Sequence, residues 1–184
     1  MKNIDYWFIP KLFSYEELVN IHNMFEQNTD DEIIDIPAEH VTKKAKVYMS
    51  HWYKFKHVLN RIDQIVLQIN QDNFGFNIWP QYDRNIVRLN EYDSEFKGEY
   101  DWHTDGSQDG EAYDIKFTLL LNASLESYEG GKFYLFNAGA TYIDKLDDPG
   151  DVLMFKSYIP HRVTPVTKGK RHSMTLFYNG PKFQ

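Results

Sequence analysis

Turn residues cut the second half of this chain into short apolar runs, and that punctuation limits the possible folds more than any other feature. Residues 86–92, 115–122, 132–136, 151–155 and 172–178 are each rich in aliphatic, β-branched or aromatic side chains. Gly130-Gly131, Asp148-Pro149-Gly150 and Lys168-Gly169 lie between these runs. Strands joined by tight turns pair antiparallel, whereas a parallel sheet needs a crossover of a dozen or more residues, usually a helix, between successive strands. The pattern therefore predicts an antiparallel sandwich or barrel, a mainly β fold with flanking helices, and excludes alternating βαβ units.

The helices are expected in the first half. Ser14 and Glu17 stand three apart, with Leu18, Ile21, Met24 and Phe25 following at helical spacing, so a helix is predicted over 14–27 behind a capping box. Val58, Ile62, Ile65, Val66 and Ile69 recur on one helical face and predict a second helix over 54–71. Residues 28–46 are polar and read as a long loop. No repeat is visible, and 184 residues fit one domain. We divide it into a helical support region, 1–72, and a β core, 73–184.

Composition removes several function classes. The chain has no cysteine, which excludes disulfides, cysteine-ligated zinc or iron–sulfur sites and cysteine nucleophiles. Its formal net charge is −7, and its basic residues are scattered apart from Lys43-Lys44 and Lys168–Arg171, so no nucleic-acid partner is expected. No apolar run approaches membrane-spanning length, and Met1–Trp7 has no apolar signal-peptide core. The expectation is a cytoplasmic protein without a membrane partner, in the host cytoplasm were the source viral.

Seven histidines are candidates for chemistry. His22, His40 and His57 read as surface or structural residues, and His51 as a weak candidate facing a cleft. His103 and Asp105 are two apart, so on extended chain they share a face and could ligate one metal ion. His161 would complete a set of two His and one carboxylate, a set that leaves open coordination positions and marks non-haem Fe(II) oxygenases. Arg171, ten residues after His161, offers a planar fork for the carboxylate of an organic cosubstrate. Ser173 lies two further along the same run, on the same face, while His172 alternates away and reads as a non-ligand.

His103-x-Asp105, His161 and Arg171-x-Ser173 together resemble the 2-oxoglutarate- and Fe(II)-dependent dioxygenases, in particular their prolyl 4-hydroxylase-like branch. Arg88–Tyr92, Gly98, Tyr100, Glu129–Phe133 and Pro149–Phe155 extend the likeness over about 86–180, in the family's order. The resemblance implies a double-stranded β-helix (jelly-roll, cupin-like) core. It implies Fe(II) held by His103, Asp105 and His161, with 2-oxoglutarate and O2 as cosubstrates and ascorbate as an accessory reductant. It implies that Arg171 holds the far carboxylate of 2-oxoglutarate, assisted by Ser173 or Thr175, with Tyr92 beside it. The implied reaction hydroxylates an unactivated C–H bond and releases succinate and CO2. The implied substrate is a peptide, a protein or a small amino-acid-like molecule, proline first among the guesses, and the protein a monomer or homodimer.

One departure is visible. Many relatives in this branch carry a cosubstrate-holding tyrosine where this chain reads Leu119-Leu120-Leu121, so Thr175 is expected to take over that contact. The intact Asp105 argues against a halogenase. Two other readings stay open: a Zn-dependent hydrolase using the same three ligands, and a non-catalytic jelly-roll binding module. The acidic stretch 104–111 reads as a mouth loop that disfavours acidic substrates. Trp52, Trp102 and Tyr113 could line an aromatic entrance, and Gly130-Gly131 reads as a turn. Substrate selection is expected from 28–46, 72–84 and 106–114.

Overall fold

The structure, a computed structural model, describes residues 4–28, 31–36, 42–106 and 111–182. Strand β1 (Tyr6–Ile9) precedes helix α1 (Tyr15–Asn28), and β2 (Asp31–Ile36) and β3 (Lys43–His51) precede helix α2 (Trp52–Ile69). The remaining strands follow in close succession. They are β4 (Ile86–Asp93), β5 (Glu99–His103), β6 (Tyr113–Asn122), β7 (Glu129–Gly130) and β8 (Phe133–Phe136), then β9 (Ala140–Tyr142), β10 (Val152–Lys156), β11 (His161–Val163), β12 (Val166–Lys168) and β13 (Lys170–Pro181).

Ten of these strands form one continuous curled ladder in the order β1-β10-β6-β13-β4-β3-β5-β11-β8-β9, with β2 added on β3. The pairs on this path are antiparallel. Strand β3 is the corner: Lys46–His51 pair with β4, whereas Lys43 and Lys44 pair with β5 of the opposite wall. Curling the ladder at this corner produces the jelly roll, with one wall of β1, β10, β6, β13 and β4 and a smaller wall of β5, β11, β8 and β9.

The helices pack on the outside of the larger wall. Ser14 Oγ accepts from the Glu17 amide (3.3 Å) and Glu17 Oε2 accepts from the Ser14 amide (2.8 Å), so the capping box forms as predicted. Helix α2 buries Phe55, Leu59, Ile62 and Val66 together with Leu18, Ile21 and Phe25 of α1 against Val87, Leu119, Leu121, Met174 and Leu176 of the sheet. No helix among the described residues is long and apolar enough to cross a membrane.

Three expectations need correction. Much of 28–46 is strand, not loop: β2 and the first part of β3 lie there, while 29–30 and 37–41 fall outside the described residues. The lysines of Lys43-Lys44-Ala45-Lys46-Val47 gave the segment its loop-like polarity, yet Ala45 and Val47 are buried at strand spacing. With β1, these strands make 1–72 part of the sheet as well as its helical backing. Trp52 opens α2 and is 2% exposed in the helix-backed core, not at an entrance.

Candidate metal centre and its pocket

His103 ends β5 and His161 opens β11, and the two are directly paired across the ladder. Asp105 lies just past β5, tethered by its amide to the Ser157 carbonyl (3.0 Å). His161 Nε2 is 3.4 Å from Asp105 Oδ2, and His103 Nε2 is 3.8 Å from Asp105 Oδ1. One ligand atom from each of the three residues lies within 4.8 Å of the others.

The backbone fixes which nitrogen faces the centre. His103 Nδ1 is 2.7 Å from the Asp101 carbonyl and His161 Nδ1 is 3.0 Å from the Ile159 carbonyl. A carbonyl oxygen only accepts, so each Nδ1 carries the proton and each Nε2 keeps a free lone pair. The Thr118 hydroxyl donates to Asp105 Oδ2, and the Tyr100 ring stacks on His103 with centroids 3.4 Å apart. Burial and the neighbouring His161 push the His103 imidazole down to about 4, which favours the neutral ring a metal needs. Burial opposes ionisation of Asp105, but the adjoining His161, with help from the Thr118 hydroxyl and from His103, holds its carboxyl below the usual range.

The centre opens into a cavity of about 300 Å³. Tyr92 and Thr175 line it, as do Leu120, Phe133, Phe155 and Val163. Arg171 and Ser173 are not on its surface; both are 1% exposed behind it. The Arg171 guanidinium carbon is 5.7 Å from the centre of the Tyr92 ring, and its Nη1 is buried with no hydrogen-bond partner among the described residues. Gly131, expected only as a turn, also makes room for this side chain: φ is +60°, and a Cβ there would meet Arg171 Cδ at 2.8 Å. His172 faces the other way, 3.2 Å from Glu91 and edge-on to His22.

These residues suit Fe(II) and a 2-oxo acid. Two neutral imidazoles and one carboxylate form the mixed N/O donor set of a non-haem iron. A buried guanidinium with an unpaired N–H calls for a carboxylate, because a desolvated cation without a partner is costly.

Sequence reasoning missed Lys43, Arg88, Asn90, Tyr100 and Thr118 as wall residues of this cavity. A signal existed in β4, where Arg88, Asn90 and Tyr92 alternate with Val87, Leu89 and Glu91 at strand period, putting a polar row on one face. Lys43 had none, since its segment read as loop.

A family model described as the 2OG-Fe(II) oxygenase superfamily matches residues 87–179, just over half of the chain. A PKHD-type hydroxylase of Idiomarina loihiensis is 41% identical over 90 residues, 48% of this chain and 39% of that protein. Another, from Crocosphaera subtropica, is 33% identical over 116 residues, 60% of this chain and 50% of that protein. The matches thus span half or less of these curated relatives. Among solved structures, a Pseudomonas putida prolyl-4-hydroxylase superposes with a TM-score of 0.72 at 17% identity, covering 98% of this chain and 95% of that one. The viral collagen prolyl hydroxylase of Paramecium Bursaria Chlorella virus-1, in a 2OG complex, gives 0.71 at 16% identity, covering 97% of each chain. At these identities the structures share the fold. With the family match spanning both β4 and β13 and every proposed ligand between them, the chain belongs to the 2OG-Fe(II) oxygenase superfamily.

Proposed function

We propose that this chain is a 2-oxoglutarate-dependent hydroxylase that acts on a peptidyl or free amino-acid side chain in the manner of a prolyl hydroxylase. The observation that carries the reading is the meeting of His103, Asp105 and His161 at a cavity with both Nε2 atoms left free by backbone carbonyls. These three residues would hold Fe(II). When bound, the metal supplies oxygen activation coupled to oxidative decarboxylation of 2-oxoglutarate to succinate and CO2, with ascorbate as accessory reductant.

The chain's own residues do the positioning. The Asp101 and Ile159 carbonyls hold the two imidazoles in one tautomer, and Thr118 orients the carboxylate. Arg171 is the buried cation for the far carboxylate of the cosubstrate, with Tyr92, Ser173 and Thr175 beside it. Leu120, Phe133, Phe155 and Val163 give the cavity an apolar wall that excludes water from the reacting carbon. A prolyl-type substrate is supported by the names of the relatives and of the structures that share the fold. A cytoplasmic location, a monomeric or homodimeric state and the absence of a nucleic-acid partner belong to the same proposal.

The test is succinate release from 2-oxoglutarate with added Fe(II). Wild-type protein should release it, chelation should stop release, and added iron should restore it. His161→Ala should be inactive at any iron concentration. Turnover that survives metal removal would sink the reading.

A further inference from the structure

We propose that the substrate presents a carboxylate to Lys43 and Arg88, which flank the metal centre on the cavity wall. The proposal rests on the hydroxylase reading and adds the chemical class of its substrate. Both side chains line the same cavity as His103, Asp105 and His161. Lys43 Nζ donates to Asn90 Oδ1 (2.9 Å) and sits 4.8 Å from the centre of the Tyr100 ring. Asn90 is itself held by donation to Thr175 Oγ1 (3.1 Å) and the Ser173 carbonyl (3.2 Å). The Arg88 guanidinium carbon lies 4.7 Å from the centre of the Phe177 ring. Neither cation has a carboxylate within ion-pair distance among the described residues; the salt bridges there all involve other side chains.

Two cations with no carboxylate in ion-pair contact, sharing only the more distant charge of Asp105 in a partly dehydrated wall, are a recognition device, not a stabilising one. Burial, then the charge of Arg88, lowers Lys43 to about 8, and burial lowers Arg88 as well, so each would gain from an anion. Asp105 is the only carboxylate on the cavity wall among the described residues. A ferrous ion balanced by Asp105 keeps one positive charge, and Arg171, Lys43 and Arg88 add three. Doubly charged 2-oxoglutarate cancels two of these four, so two positive charges are left for another ligand.

Position assigns that ligand to the substrate. Arg88 borders a second cavity of about 390 Å³ that shares Gly106, Ile115 and Phe177 with the first and continues toward Tyr82, Arg84, Glu111 and Tyr113, so among the described residues two guanidiniums and one carboxylate line it. A molecule reaching from the metal toward solvent by that route passes the guanidinium. Of the acidic stretch 104–111, expected to repel acids, Asp105 is a proposed ligand and Glu111 lines the second cavity together with Arg84 and Arg88, while 107–110 fall outside the described residues. The carboxylate could be the α-carboxylate of a free amino acid or an Asp or Glu side chain in a peptide.

The experiment measures succinate release by the Fe(II)-loaded wild type, Lys43→Gln, Arg88→Gln and the double variant. One pair of probes is free L-amino acids against their α-carboxamides. The other is capped tripeptide pools, random at two positions, with Asp or Glu against Asn or Gln at the third. In the wild type, one carboxylate pool should stimulate release at least about tenfold more than its amide twin, and which pair responds names the source. The variants should reduce that ratio to about twofold or less. Their affinity for 2-oxoglutarate, read by calorimetry on Mn(II)-loaded protein, should stay within about threefold of wild type. Amide pools that stimulate equally overturn the proposal. So do variants whose 2-oxoglutarate affinity falls more than about tenfold, which would make these cations cosubstrate ligands. Stimulation by no pool, with 2-oxoglutarate still bound and slowly turned over, overturns it while leaving the hydroxylase reading intact. Failure to bind or turn over 2-oxoglutarate at all overturns both.

Discussion

The two faces of the larger wall are built from the same strands and do different work. On the outer face, Val87, Leu89, Phe117, Leu119, Leu121, Met174, Leu176 and Tyr178 pack under the helices in one apolar cluster. On the inner face, the alternate residues Arg88, Asn90, Tyr92, Thr118, Leu120, Thr175 and Phe177 line the metal cavity. Strand period separates them, since successive side chains point to opposite sides. Stability is thus concentrated on one parity of β4, β6 and β13 and chemistry on the other, so neighbouring residues should respond to substitution in opposite ways.

The largest expected effects test that separation directly. His161→Ala removes a proposed ligand and should abolish succinate release while moving the unfolding midpoint little. Met174→Ala, at a fully buried outer-face position, should cost about 2–5 kcal/mol in urea unfolding, yet leave release per folded molecule near wild type. Thr175→Ala, its neighbour, should do the reverse and raise the 2-oxoglutarate KM with a small stability change. If Met174→Ala and Thr175→Ala impair activity and stability in the same proportion, the division by parity is wrong.

Gly131→Ala comes next, because it pushes on the cavity from behind. The added methyl would meet Arg171 Cδ at 2.8 Å and Val166 Cγ2 at 3.0 Å, on backbone with φ of +60°. Strain at that φ costs roughly 1 kcal/mol for a non-glycine residue. The functional cost should be larger, with KM for 2-oxoglutarate rising about tenfold as the guanidinium shifts, equivalent to about 1.4 kcal/mol. Steady-state kinetics together with thermal unfolding separate the two.

How much of this was legible in the sequence follows from the same parity. The five strands read from sequence alternate or run apolar and sit between turn residues, and each is present in the structure. His103, Asp105 and His161 were legible because metal donors at strand spacing are rare in combination. β3 was not, because lysine stems cover apolar surface while their charges make a segment look solvated. Short strands such as β11 and β12, at three residues each, carry too little pattern to detect and owe their pairing to tertiary contacts. Lys43 and Arg88 looked like ordinary surface charges until the ladder curled around them.

The outer face also carries a charge cluster whose effect should appear only in acid. Glu91 accepts from His172 (3.2 Å) and Lys170 (3.4 Å), and Lys170 also pairs with Asp93 (3.0 Å). The His172 hydrogen bond, helped by Lys170 and opposed by burial, holds the Glu91 carboxyl down at about 2, against an ordinary value of 4.5. A carboxyl lowered by folding stabilises the native state above its unfolded value and loses that contribution as pH falls toward its folded one. Urea midpoints should therefore drop between about pH 4.5 and pH 2, and Glu91→Gln should flatten that part of the profile. An unchanged slope in the variant would assign the acid sensitivity to other groups.

The smallest expected effect lies farthest from the cavity, at the start of α1. Ser14 and Glu17 satisfy each other's backbone N–H groups. Glu17 Oε2 also accepts from Arg61 Nη2 of α2 (2.8 Å), which donates to the Leu12 carbonyl as well (2.6 Å). This exposed knot ties the two helices together before either reaches the sheet. Ser14→Ala removes one acceptor and should cost about 1 kcal/mol. In a protein of this size that lowers Tm by roughly 2–4 °C. Ser14→Gly should cost only a few tenths of a kcal/mol, because glycine is also tolerated at a helix N-cap. Neither substitution should alter succinate release at 25 °C, since the helices touch only the outer face of the wall. A measurable change in KM from Ser14→Ala would mean that the helical layer controls the cavity through the sheet, and the two faces would then be coupled, not separate.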